Sequence, residues 1–172
     1  MTARLILLRH AEKPSPDGRM RGVDAAGRLD ENELSVRGWQ RAGALARLFA
    51  AGGGDFGVPQ ALFAGGPTAA RPSRRSVSTL EPLARRLGLA LDVSFERGRE
   101  AELAAALARR DGLSLVAWDH RGLCRIAQAL IGDRAPQRWP ESCFDRFWLF
   151  TRAGADWQFE QRPQALLDGD DE

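Results

Sequence analysis

Long apolar runs are missing from this chain. No stretch approaches the ~20 consecutive apolar residues that a membrane span requires. The apolar run after Met1-Thr2-Ala3-Arg4 is too short for the hydrophobic segment of a secretory signal. The expectation is a cytoplasmic protein with no membrane partner. Cysteine is scarce: Cys124 and Cys143 lie far apart and form no C-x-x-C pair, which predicts free thiols in a reducing compartment. An excess of one charge is also missing. The 25 basic and 23 acidic side chains leave a net charge of +2, too little uncompensated positive charge for a general nucleic-acid binder. Lysine occurs once, as Lys13, and histidine twice, as His10 and His120. Two imidazoles flanked by arginines fall short of the three or four ligands of a zinc site and would repel a cation, so no metal or other cofactor is expected. Neither a G-x-S-x-G elbow nor a G-x-x-x-x-G-K-[ST] loop is present, which argues against an α/β-type serine hydrolase and against an ATPase or GTPase.

What is there is an alternation of strand-like and helix-like segments. With 172 residues, 44% of them hydrophobic, the chain can bury a core of useful size as one domain, 1–172. Leu5-Ile6-Leu7-Leu8 has the length and texture of a buried parallel strand. A polar, turn-rich stretch follows over 14–33, long for a connection. Ser35 then reads as an N-cap, and Trp39, Ala42, Leu45, Ala46 and Phe49 recur at helical spacing until Gly52-Gly53-Gly54. A second strand, 61–64, leads to a basic segment and a helix carrying Val77, Leu80, Leu83, Ala84 and Leu87. Pro82 inside it predicts a kink or two abutting helices. A third strand is expected over 89–95, a helix over 101–110, a strand over 113–118 and a further helix up to Gly132. The segments 144–151 and 156–162 read as an edge hairpin, and the acidic tail 168–172 as a flexible end. This alternation predicts an α/β fold: a three-layer α/β/α sandwich whose central sheet is mainly parallel with an antiparallel edge hairpin.

Both histidines follow apolar strands. If those strands are parallel, His10 and His120 emerge at one edge of the sheet, where open α/β sheets place ligands. Arg75, after the second strand, reaches the same edge. Two imidazoles with Arg9, Arg75 and the adjacent Arg74, plus Lys13, form a cluster suited to a carboxylate or a phosphoryl group, because guanidinium forks match such oxygens in bidentate fashion.

Leu7-Leu8-Arg9-His10-Ala11-Glu12 resembles the Arg-His-Gly/Ala signature of the histidine phosphatase superfamily, the phosphoglycerate mutase-like group. Arg75-Ser76-Val77-Ser78-Thr79 resembles its Arg-Ala-x-x-Thr motif. Trp118-Asp119-His120 falls where the family's second histidine ends a core strand, and Ser35-Val36-Arg37-Gly38 looks like its helix start. The likeness runs from residue 4 to about residue 131, with the motifs in order. It implies a phosphatase acting on a small phosphorylated substrate or a phosphoprotein. His10 would attack phosphorus as a neutral imidazole steadied at its other nitrogen, and form a phosphohistidine. Arg9, Arg75 and a protonated His120 would surround the phosphoryl oxygens. The chain departs from the pattern in having Ala11 where Gly is commoner, and Arg121 after His120, so the His-Asp pair of the acid-phosphatase and phytase branch is absent. The acid that protonates the leaving group is then Glu96, in the position of the mutase-like branch, or else Asp119. Lys13, Glu12 and Arg74 are candidates for substrate contact. Each has a plainer reading: a solvated loop lysine, a carboxylate paired with a neighbouring arginine, and a solvated charge at a helix start. Trp118, Trp139 and Trp148 read as core aromatics. Two other readings of the cluster are a catalytically silent phospho-ligand binding module and a phosphomutase.

Overall fold

The computed structural model describes residues 2–171. Six strands form one sheet in the order β3-β2-β4-β1-β5-β6. They are β1 (Ala3–Arg9), β2 (Ala61–Ala64), β3 (Leu91–Asp92), β4 (Gly112–Trp118), β5 (Arg146–Ala153) and β6 (Asp156–Pro163). β1 to β4 run parallel to one another, while β5 lies antiparallel to β1 and pairs with β6 as the expected edge hairpin. Four helices cover the sheet: α1 (Val36–Ala50), α2 (Arg75–Leu87), α3 (Glu100–Ala108) and α4 (His120–Ile131). Among the described residues no helix is long and apolar enough to cross a membrane.

The three layers follow from the period of a strand. Successive side chains point to opposite faces, and both faces of β1 are apolar. Leu5 and Leu7 join Leu103, Leu107, Leu123 and Ile126 on the α3–α4 side. Ile6 and Leu8 join Leu45, Phe49, Leu80 and Leu83 on the α1–α2 side. Trp118, Trp139 and Trp148 are buried in the first of these cores, as their size favours. Because β1, β2 and β4 are parallel neighbours, the segments leaving their carboxyl ends share one edge. The register pairs Arg9 with Trp118 and Ala64 with Ala117, so residues 10, 65 and 119 leave the sheet side by side.

One expectation is corrected in full and one in part. The third strand has two residues rather than seven, because the Asp92 carboxylate accepts from Ser94 N (2.8 Å) and Ser94 Oγ (2.6 Å) and turns the chain away. Of the two expectations at Pro82, the abutting helices are not seen: α2 is one helix of 13 residues. A proline inside a helix costs about 3 kcal/mol or more, but Leu80, Leu83 and Ala84 keep the helix packed on the sheet, and such packing supplies most helical stability in proteins. Over its described part, 168–171, the acidic tail contacts the body of the protein (Glu172 lies outside the described residues). The Asp170 carboxylate accepts from both terminal nitrogens of Arg41, at 2.9 and 2.7 Å, and Asp171 N donates to Asp145 at 2.8 Å.

Candidate active site

His10 is the first residue beyond β1. Its own N–H donates to Trp118 O (2.9 Å), which extends the β1–β4 pairing one step and ties the His10 loop to the segment carrying His120. The imidazole is buried. Its Nδ1 lies 2.8 Å from Ala11 O. A carbonyl oxygen only accepts, so Nδ1 carries the proton and Nε2 holds the free lone pair. Burial pushes the pKa of His10 down to about 3. The Ala11 carbonyl works in the opposite direction, and the charges of Arg9, Arg75 and Arg97 lower it further. The ring is therefore neutral at pH 7 and its tautomer is set by backbone.

The peptide that orients His10 is itself held. Ala11 N donates to Thr79 Oγ1 (2.8 Å), whose hydroxyl donates to Arg75 O (2.7 Å). This chain joins the first turn of α2 to the His10 loop. Thr79→Val leaves the buried Ala11 N–H unpaired and is expected to lower stability by about 1–3 kcal/mol, measured by equilibrium denaturation. Thr79→Ser is expected to recover most of it, and wild-type stability in Thr79→Val would rule the contact out as a support.

Three guanidiniums lie near enough for their charge to act on His10. Arg9 is buried; its Nη1 donates to Glu141 O and to Cys143 O (3.4 Å), and its Cζ lies 4.1 Å from the centroid of the Phe144 ring. Its Nε is buried with no hydrogen-bond partner among the described residues. Burial lowers its pKa to about 10, against the pull of Glu141 and Cys143, so it stays charged at neutral pH. Arg75 is half-buried at the start of α2. Its Nε donates to Glu33 O (3.3 Å) and its Nη2 to Glu31 O (2.5 Å), and burial and Arg97 lower its pKa. Arg97 donates to Ser73 O (3.4 Å), and its buried Nε also has no hydrogen-bond partner among the described residues. His120 opens α4, capped by Asp119. Partial burial and then Arg9 hold its pKa below the ordinary value, so it is not yet protonated at neutral pH in the absence of an anion.

The structure thus brings Arg9, His10, Arg75 and His120 to one edge, and adds residues that the sequence reading passes over. Arg97 enters from the turn after β3, and Phe144 sets its ring 6.2 Å from that of His10. The segment Phe95-Glu96-Arg97 drew attention through its glutamate, but Glu96 is exposed, and its carboxylate makes no hydrogen bond or ion pair among the described residues. The charge that acts on His10 is its neighbour's. Asp119 is occupied: Oδ1 accepts from Arg121 N (3.2 Å) and Gly122 N (3.0 Å) as the helix cap, and Oδ2 lies 3.9 Å from Arg97 Nε.

The three expected substrate contacts fare differently. The buried Glu12 carboxylate turns to the scaffold, where Arg41 Nε lies 3.0 Å from both its oxygens and Arg41 Nη2 2.7 Å from Oε1. Arg74 pairs with Glu33 at 3.0 Å. Lys13 stands at the rim, 3.3 Å from Glu141 Oε1. For Glu12 the plainer reading, a carboxylate paired with an arginine, describes what is seen; Arg74, whose plainer reading is a solvated charge, is instead paired with Glu33.

The start of α1 braces the loop from below. Ser35 N and Oγ both donate to Glu12 O (2.9 and 3.0 Å), and Ser35 Oγ accepts from Gly38 N (3.2 Å). A side chain at position 38 is impossible without movement, since its Cβ would lie 2.4 Å from Glu12 O. That close approach is the physical reason for the Ser-x-x-Gly spacing. Such a pocket, with a neutral imidazole lone pair among guanidiniums carrying free N–H groups, is built to hold a tetrahedral oxyanion beside a nucleophile.

No family model matches the sequence, and no curated protein matches it. Solved structures do match. The mycobacterial glucosyl-3-phosphoglycerate phosphatase in complex with VO3 is 15% identical, with 92% of this chain and 97% of that chain covered and a TM-score of 0.61. The protein histidine phosphatase SixA, complexed with tungstate, is 14% identical over 94% and 97%, with a TM-score of 0.58. A phosphoserine phosphatase from Entamoeba histolytica is 13% identical over 95% and 98%, also at 0.58.

Proposed function

The chain has the fold of the histidine phosphatases, and on that premise we propose that it hydrolyses phosphomonoesters through a phosphohistidine on His10, without a metal. A fold alone does not assign chemistry. The observation that carries the reading is the state of His10: neutral, with Nδ1 bound to Ala11 O at 2.8 Å and Nε2 left free beside Arg9, Arg75 and Arg97. That two fold neighbours were solved with VO3 and with tungstate supports an oxyanion as the ligand of this fold.

In the proposed reaction Nε2 attacks phosphorus in line. The P–N bond forms as the P–O bond to the leaving group breaks, and the leaving oxygen takes the electron pair. Arg9, Arg75 and Arg97 meet the charge that spreads over the equatorial oxygens. The bound dianion raises the pKa of His120, which then donates to the same oxygens. Water next attacks phosphorus, the P–N bond breaks, and His10 is restored with release of phosphate. With Glu96 exposed and Asp119 committed to its cap, the leaving oxygen takes its proton from water, so substrates with weakly basic leaving groups are favoured.

Turnover of p-nitrophenyl phosphate in the presence of chelator is the expected result. Acid-labile, alkali-stable label on His10 after a rapid quench with radiolabelled substrate is the companion result. Turnover that demands added metal, or phosphoenzyme that persists in His10→Ala, would overturn the mechanism. The exposure of Glu96 favours one other reading, a silent phospho-ligand module; phosphate binding with no turnover of any aryl phosphate would select it. We place the protein in the cytoplasm, where the free Cys124 and Cys143 stay reduced.

A further inference from the structure

A groove leads away from His120. It encloses 470 Å³ and lies between one face of α4 and the segment 136–141, over the half-buried Cys124 and the buried Trp139. Along α4 it runs from His120 to Gln128, eight residues of helix and so roughly 12 Å. Its charged lining is one-sided. Arg121, Arg125 and Arg138 bring three guanidiniums. The one carboxylate on the lining, Glu141, stands with Lys13 at the catalytic rim.

These arginines sit where elementary electrostatics disfavours them. Arg121 is in the first turn of α4, where the helix dipole repels a cation, directly after His120. Arg125 follows at i+4 on the same face, and like charges at that spacing repel. Among the described residues neither Arg121 nor Arg138 has an ion-pair partner, and Arg125 reaches only Glu100, at 3.9 Å. Other exposed arginines, such as Arg47 and Arg71, also lack an acidic partner among the described residues, but they do not converge on one groove beside His120 as these three do. An anion lying in the groove would relieve all these repulsions at once.

We infer that the groove binds a second anionic group, a carboxylate or another phosphate, on the leaving-group side of a small phosphomonoester, so that the preferred substrate carries two anions spaced along the α4 face. The first anion occupies the pocket of Arg9, His10, Arg75 and Arg97; the second meets Arg121, Arg125 and Arg138. This rests on the catalytic reading of that pocket only in calling the ligand a substrate.

The test separates binding from turnover. ω-Carboxyalkyl phosphonates with spacers of increasing length are titrated calorimetrically into the full chain, against ω-hydroxyalkyl phosphonates of the same lengths. At the spacer that fits, the carboxylate is expected to bind about tenfold more tightly, the effect of one charge-assisted contact. In the triple variant Arg121→Ala, Arg125→Ala, Arg138→Ala the ratio between the two members of each pair is expected to fall to one. Thermal unfolding is measured alongside to verify the fold. Equal affinities in wild type at every length, or a preference that survives the triple variant, would overturn the groove assignment. If phosphonate pairs are discriminated but no aryl phosphate is turned over, the catalytic reading fails and the groove stands. If aryl phosphates are turned over and no pair is discriminated, the reverse holds. Failure of every phosphonate to bind, together with no turnover of aryl phosphates, would overturn both.

Discussion

His10→Ala is expected to lower kcat for p-nitrophenyl phosphate by on the order of a thousandfold or more, as the loss of a covalent nucleophile does. Affinity for inorganic phosphate should change far less, because Arg9, Arg75 and Arg97 are held from elsewhere: by the carbonyls of Glu141 and Cys143, of Glu31 and Glu33, and of Ser73. The same substitution carries a stability signature with a definite sign. In the native state His10 stays neutral down to about pH 3, whereas in the unfolded chain it titrates near 6.5. Between those values the unfolded state binds the extra proton. Wild type therefore loses about 1.4 kcal/mol per pH unit from this group as pH falls below about 6.5, and nothing above it. His10→Ala removes that loss. Urea denaturation of both proteins at pH 7 and pH 5 checks this, since the difference between them should shift toward the variant at the lower pH. A pH-independent difference would mean that the imidazole is not held neutral, and with it the proposed nucleophile would fall.

Arg41→Met is expected to destabilise the fold by about 3–5 kcal/mol, the usual consequence of removing one partner from a buried ionic cluster. The Arg41 side chain is 2% exposed and holds two carboxylates that are nearly as buried, Glu12 and Asp170, at 2.7 Å each. It also donates to Gln164 Oε1 (3.0 Å). Methionine fills similar space but leaves the two carboxylates only the more distant Arg37 as a guanidinium partner, at 3.4 and 3.6 Å. The cluster connects the C-terminal segment to the loop that follows His10, so the damage should reach function as well as stability: kcat should fall in the fraction that remains folded. Asp170 gives the pair its own pH window. Burial works to raise its pKa, but the Arg41 hydrogen bonds and the N–H groups of Leu166 and Leu167 outweigh that and hold it at about 2. Its contribution, about 2–3 kcal/mol, is present above the unfolded value near pH 4 and is lost as pH falls toward 2. Chemical denaturation of Arg41→Met, Asp170→Asn and the double variant measures the coupling. Additive effects would show that the two side chains do not act together.

Much of the site was legible because the residues that make it follow strands. Arg9 and His10 directly end an apolar run, and Asp119-His120 directly ends another, so parallel pairing alone puts both imidazoles at one edge. Arg75 was legible through its place at the start of a helix after the second strand. Arg97 was not, because β3 has only two residues and the turn after it has no period to read. Choosing between Glu96 and Arg97 requires knowing which side chain turns inward, and that depends on a turn closed by Asp92 and Ser94. Phe144 was hidden for a related reason: it reads as part of a strand that in fact begins at Arg146, and only the return of the chain beside β1 sets its ring against Arg9 and His10.

Local pattern and chemistry in the sequence by itself determined the layered α/β fold, the strand ends that carry His10 and His120, and the helix start at Ser35 that braces the loop between them. These depend on interactions close in sequence or on a hydrophobic period, and both are written in the residues. Tertiary structure alone decided the direction in which each charge faces. Glu12 turns from the pocket to Arg41, Asp170 closes on that same arginine from the far end of the chain, and Arg97 rather than Glu96 lies near enough to act on His10. A buried charge goes where another charge or a hydrogen bond can compensate its desolvation, and those partners come together only when distant segments are folded side by side.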